Sequence, residues 1–256
     1  MVEASQVLGE TMDDTKSERL RELSRGAPPR VKQPPGFALK LRAHQIAAAE
    51  YAQLAPRVVI ADPAGSDAQL SALAAVADRG ARPLMVACPR VLLDEWREQL
   101  RRSVPGWRTT AFDRNRGEDI LLGTSEVVLV AHTQLASFAK EVRRTRFRGL
   151  IFDQSHCLGN RAAQRTRAAR HLVAAAGDGA TVVESTVLAC NTPASLASQL
   201  EILGLLERFP RIAAVRHRRT WDEVPKAVSL LEELRAHCLL ARPLEAILAM
   251  GQNDAG

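Results

Sequence analysis

Two short stretches carry residue types that could do chemistry together. Residues 62 to 69 read D-P-A-G-S-D-A-Q and follow directly on the apolar run Val58, Val59, Ile60, Ala61. Far downstream, Leu150, Ile151 and Phe152 lead into D-Q-S-H, Asp153 to His156. A strand ending in a Gly-containing turn, then a second strand ending in aspartate, is the layout of a P-loop nucleotide site. In such a site backbone N–H groups wrap the phosphates and a lysine neutralises them. A hydroxyl and the distant aspartate hold Mg²⁺. The pattern asks for G-K-[ST] after its turn, and Asp67, Ala68 and Gln69 stand in those places. The acid expected after the Mg²⁺ aspartate is Gln154. Gly65 keeps glycine's freedom at positive φ, but Asp67 brings a Cβ and a negative charge to the phosphate position.

The elements that must position these residues alternate along the chain. Helical patterns cover about 42–54, 69–79, 90–103, 134–144, 160–176, 193–206 and 227–248, the last kinked or broken at Pro243. Between them lie strand-like runs at Val58–Asp62, Leu84–Cys88, Thr109–Phe112, Val127–His132, Leu150–Asp153 and Thr181–Ser185. Nearly continuous apolar strands separated by helices predict an α/β fold, a parallel sheet with helices on both faces. Ligands on such folds sit at the carboxyl ends of the strands, where Asp62, Pro89, His132, Asp153 and Ser185 fall. Residues 1–36 read as a flexible tail with a short helix from Asp13 to Leu23, then a Pro-rich linker, A-P-P-R-V-K-Q-P-P-G. Residues 37–249 form a single lobe, and 250–256 a disordered tail.

The chain has 256 residues, 46% of them hydrophobic, enough for one sizeable core. A formal charge of +6, mostly arginine, favours an acidic partner, nucleic acid first. No apolar run reaches the length of a membrane span and none suggests a signal peptide, so the expected location is cytoplasmic, with nucleoid association open. Ala and Arg richness suggests a bacterial or phage genome. The four cysteines, Cys88, Cys157, Cys190 and Cys238, form no C-x-x-C pair, so no metal site is expected from them. Basic clusters occur at Arg143, Arg144, Arg146 and Arg148, at Arg161, Arg165, Arg167 and Arg170, and at Arg211, Arg216, Arg218 and Arg219. Charge runs are usually solvated surface, and phosphate-backbone binding is the functional alternative. Trp107 and Trp221 read as core or interface packing before base stacking.

Taken in order, several motifs resemble the N-terminal RecA-like lobe of the Swi/Snf-type helicase-like ATPases, particularly the annealing-helicase branch. L-R-A-H-Q (Leu41 to Gln45) resembles the adenine-recognising Q motif. A-D-P-A-G-S-D-A-Q (Ala61 to Gln69) stands at motif I, and V-A-C-P-R-V-L-L-D-E-W (Val86 to Trp96) at motif Ia. V-V-L-V-A-H-T-Q-L (Val127 to Leu135) is similar to the Ib region, and I-F-D-Q-S-H-C-L-G-N (Ile151 to Asn160) to motif II. E-S-T-V-L-A-C-N-T-P-A-S-L (Glu184 to Leu196) sits at the L-T-G-T-P motif, and L-L-A-R-P-L-E-A-I-L (Leu239 to Leu248) echoes the end of the lobe.

The resemblance implies an ATP site at Gln45, Asp62, Gly65, Ser66, Asp67, Ala68 and Gln69, vestigial here. It implies catalytic positions at Ala68, Asp153, Gln154 and His156, none of them a complete set, with Asp153 a residual Mg²⁺ candidate. Pro89, Arg90, His132, Thr133, Arg161 and Arg165 occupy positions resembling nucleic-acid-contacting ones. In the parent family ATP and Mg²⁺ are bound between two lobes; here no cofactor is expected, and one lobe alone is not expected to translocate. The reading that follows is a degenerate lobe, a pseudo-ATPase that binds double-stranded or branched DNA through phosphates or docks a protein. The alternatives are an ATP-dependent helicase half completed by a partner protein supplying the second lobe, and an inert remnant of a phage or mobile-element gene.

Overall fold

In the computed structural model the chain is described over residues 2–77, 80–112, 126–142, 145–186 and 192–252. Strands β1 (Arg57–Ile60), β2 (Leu84–Cys88), β3 (Thr109–Ala111), β4 (Val127–Ala131), β5 (Gly149–Asp153), β6 (Thr181–Ser185) and β7 (Leu239–Leu240) form one sheet. Their order is β3-β4-β2-β5-β6-β1-β7. Every pairing is parallel. The central strands read V-V-I, L-M-V-A-C, V-V-L-V-A and G-L-I-F-D because both their faces are buried.

Alternate strand residues feed two cores. One face packs against α1 (Val2–Ser24), α2 (Ala43–Leu54), α3 (Ala68–Ala77) and α4 (Leu93–Ser103), and includes Val58, Ile60, Val86, Ile151 and Trp96. The other packs against α5 (Leu135–Glu141), α6 (Gln164–Ala176), α7 (Pro193–Ile202), α8 (Pro210–Ala214) and α9 (Ala227–Arg235), and includes Val59, Ala87, Phe152 and Val182. The chain has an α/β fold of RecA-like type with helices on both faces.

Local sequence explains several boundaries. The Thr192 hydroxyl accepts from the Ser195 N–H at 3.0 Å and Pro193 opens α7, a matched N-terminal signal. Asp94 and Glu95 lie in the first turn of α4 and Arg101 and Arg102 in its last, complementing the helix dipole. Gly149 is required by close approach: a Cβ there would come within 2.7 Å of the Ala81 carbonyl.

Two expectations are corrected. The predicted helix over 227–248 is interrupted by β7, because the buried pair Leu239–Leu240 extends along β1, with Val59 N–H bonding the Cys238 carbonyl at 2.8 Å and Ala61 N–H the Leu240 carbonyl at 2.8 Å. A final helix, α10 (Leu244–Gln252), follows Pro243; residues 250–252 therefore belong to it, and 253–256 lie outside the described residues. The tail and linker expected before residue 37 are likewise docked from α1 onward. Leu20 and Leu23 are buried, Arg19 pairs with Glu50 at 2.6 Å, and Glu50 also accepts the Arg30 N–H at 2.6 Å. The Ser24 hydroxyl donates to the Leu239 carbonyl and accepts from the Ala241 N–H, both at 3.1 Å, so α1 caps the edge strand β7.

Candidate functional site

The strand register brings the ends of β1, β5, β6 and β7 level: Ile60 lies beside Ser185 and Leu240, and Ser185 beside Asp153. Residues 61–67 then turn into α3, giving the strand–turn–helix of a P-loop. Gly65 has φ 85°, and a Cβ there would meet nothing within 4 Å, so the backbone angle is what calls for glycine. Asp67 has φ 60°, the left-handed region that aspartate tolerates better than most residues. Its carbonyl accepts the Leu70 N–H at 3.0 Å, so an exposed Asp67 stands at the N-terminal end of α3. That end carries a positive partial charge and would favour a phosphate; a resident carboxylate opposes one.

Asp153 ends β5 with its carboxylate enclosed. The Trp96 indole N–H donates to Oδ2 at 2.8 Å, the Gln69 amide lies 3.5 Å from the same oxygen, and the Gln154 N–H donates to Oδ1 at 2.9 Å. Burial pushes the Asp153 carboxyl above its ordinary range, and hydrogen bonds from Trp96, Gln154, Gln69 and Ser185 oppose that shift. Gln154 itself lies at φ 52°, turning the chain into a 3₁₀ segment, Ser155–Leu158. His156 Nδ1 lies 3.1 Å from the Thr186 hydroxyl, tying the ends of β5 and β6 together.

The remaining nucleotide-site positions are used internally. Gln45 is buried, its side-chain oxygen accepting the Arg42 N–H at 2.9 Å to cap α2. His44 Nε2 lies 2.8 Å from the Ser66 carbonyl, which can only accept, so that nitrogen carries the proton. Asp62 is fully buried against Arg242: Arg242 Nε donates to Oδ1 at 3.0 Å, Nη2 pairs with Oδ2, and Nη1 reaches the His44 carbonyl. Ala68 places no cation here. Among the described residues the side chains do not fit MgATP: Asp153 is held by internal donors, no lysine follows the Gly65 turn, and Asp67 stands at the helix end.

Sequence reading missed Arg242 and the role of Trp96. Both stood in quoted motifs, but each meets its partner across a long chain separation, and no local pattern reports that.

The nucleic-acid positions divide. Arg90 and Thr133 are exposed at the strand ends, with Pro89 half-buried and Val91 87% exposed beside them. His132 is buried, and burial lowers its imidazole to about 4. It is neutral at physiological pH and brings no charge to a phosphate. Arg161 forms a two-pronged pair with Glu201 at 2.6 and 2.8 Å, and Arg170 joins the same carboxylate at 2.6 Å. Arg165 is exposed, donating from Nε to the Cys157 carbonyl at 3.0 Å. Arg146, Arg148, Arg216, Arg218 and Arg219 are exposed, and Arg211 pairs with Glu233 at 3.6 Å. Arg143, Arg144 and Cys190 lie outside the described residues, as do 187–191 of the L-T-G-T-P region. Trp107 is covered by the Arg82 guanidinium at 5.3 Å, and Trp221 packs on the core. Burial pushes the Cys88 thiol up to about 12, away from reactivity.

This geometry can be set beside solved structures. The SWI2/SNF2 ATPase core of Sulfolobus solfataricus in complex with dsDNA superposes with a TM-score of 0.64 at 16% identity, over 84% of this chain and 46% of that one. The SWI2/SNF2 ATPase core domain from the same organism gives 0.69 at 17% identity, over 88% and 49%. The chain has a Swi2/Snf2-like helicase-type fold. It spans about half the length of those cores. No protein-family profile and no curated protein sequence matches the chain.

Proposed function

We propose that this helicase-like lobe is a pseudo-ATPase, a scaffold that binds duplex DNA through its phosphates without using ATP. The observation that carries the reading is the Asp153 carboxylate, held by Trp96, Gln69 and the Gln154 N–H where a free Mg²⁺ ligand would be needed. Gln154 cannot accept a proton from an attacking water, and a positioned base is worth about 10²–10⁴ in rate. The net charge of +6 and the exposed Arg90, Arg165 and Arg216–Arg219 stretch support a nucleic-acid partner. The DNA held by a structural neighbour accords with this reading. In this account the protein works beside the chromosome, and its motifs are of the annealing-helicase kind.

A titration of labelled duplex DNA, with and without saturating MgATP, tests the scaffold reading. Salt-sensitive binding of the same strength in both arms is expected; affinity that shifts with nucleotide contradicts it. A second reading draws on the retained left-handed backbone at Gly65 and Asp67. The lobe would then be half of an ATP-dependent translocase completed by a partner's second lobe. Hydrolysis abolished by Asp153→Ala would favour that alternative.

A further inference from the structure

We infer that the groove between α5 and α6 is a phosphate-backbone track for duplex nucleic acid, extending the strand-end surface down one flank of the lobe. The inference rests on the DNA-binding reading and gives it a location. The groove is open, about 390 Å³, with the buried Ala139 and Ala168 at its floor. Lys140, Gln164, Arg167 and His171 stand exposed along it, and no carboxylate lines it. Among the described residues Lys140, Arg167 and His171 have no ion-pair or side-chain hydrogen-bond partner, unlike Arg161 and Arg170 on the same helix.

Spacing and surroundings select the occupant. Gln164, Arg167, Ala168 and His171 follow i, i+3, i+4, i+7 and share one face of α6, spanning roughly 10 Å. That is about three phosphate rises of one strand measured along the duplex axis. The groove continues from exposed positions at the strand ends: α5 follows the His132–Gln134 turn with Thr133, and Arg165 stands exposed in the first turn of α6. An alanine floor offers no pocket for the aromatic or aliphatic anchors on which protein partners depend. Among the described residues no phenylalanine, tyrosine or tryptophan lines the groove to stack the bases of a single strand. Cations over small side chains suit a wide, uniformly charged duplex backbone.

The test measures binding of a short fluorescent duplex by the whole chain as a function of salt. Replacing both cations, Lys140→Gln with Arg167→Gln, is expected to lower the slope of log K against log salt by about 2. The charge-keeping pair Lys140→Arg with Arg167→Lys should leave the slope unchanged, as should Arg102→Gln on the opposite face. Circular dichroism on each variant separates a lost contact from a lost fold. An unchanged slope in the neutralised pair, with Arg90→Ala still weakening binding, overturns the track and leaves the DNA reading intact. Failure of the wild type to bind duplex at low salt overturns both. A loss confined to a poly-glutamate probe overturns the duplex assignment in favour of an acidic protein.

Discussion

At the residue scale, a few side chains set the chemistry at the β1 turn and the end of β5, and they act through charge and hydrogen-bond valence. Asp67 places a carboxylate at a helix end that would favour an anion, and Ala68 beside it carries no charge. Gln69 contributes an amide that can donate to Asp153, where a hydroxyl would share a metal ion. The sequence made the identities of these residues legible. It did not reveal that Trp96 and Gln69 converge on one oxygen, since those contacts join residues far apart in the chain.

Glu184 is a second residue-scale case. It is fully buried on β6, and desolvation holds its carboxyl well above the ordinary range, with the Ser155 hydroxyl opposing the shift only in part. Its folded value is raised, so its penalty is absent below the unfolded value near 4.5 and grows as pH rises. The penalty goes on growing with pH until the folded value is reached. Glu184→Gln is therefore expected to raise the melting temperature at pH 7 and to change it little at pH 4.5. Thermal melts at both pH values check this; an equal change at both would contradict it.

At the element scale, the join between the end of the chain and the P-loop turn is a buried ion pair. Arg242, just after β7, meets Asp62, just after β1, with both side chains fully buried. Removing one partner strands the other, which typically costs about 3–5 kcal/mol. Arg242→Met is expected to lower stability by that amount in denaturant unfolding, and adding Asp62→Asn should recover much of it. A loss of under 1 kcal/mol would show that the pair does not anchor β7. The inner strands were readable because burial on both faces demands continuous apolar residues. β7 was not, because two leucines between helical patterns satisfy a helix period as well as a strand. The docking of α1 was hidden for a related reason: Leu20, Leu23 and Ser24 gain meaning only against the edge that they cover.

At the scale of the whole molecule, a RecA-like lobe brings Asp62, Asp153 and the Gly65 turn to one end of its sheet, where side chains bond to one another. The fold's layout, with chemistry at the carboxyl ends of parallel strands, survives intact: Asp62, Asp153, Ser185 and Arg242 meet there. Among the described residues, cationic side chains without ion-pair partners lie also on the flank, between α5 and α6.

The most direct measurement is a calorimetric titration of MgATP into the wild type and into the triple variant Asp67→Gly, Ala68→Lys, Gln69→Thr. The account predicts no binding to the wild type and measurable binding to the variant, without hydrolysis because Gln154 remains. Micromolar MgATP binding by the wild type would contradict it.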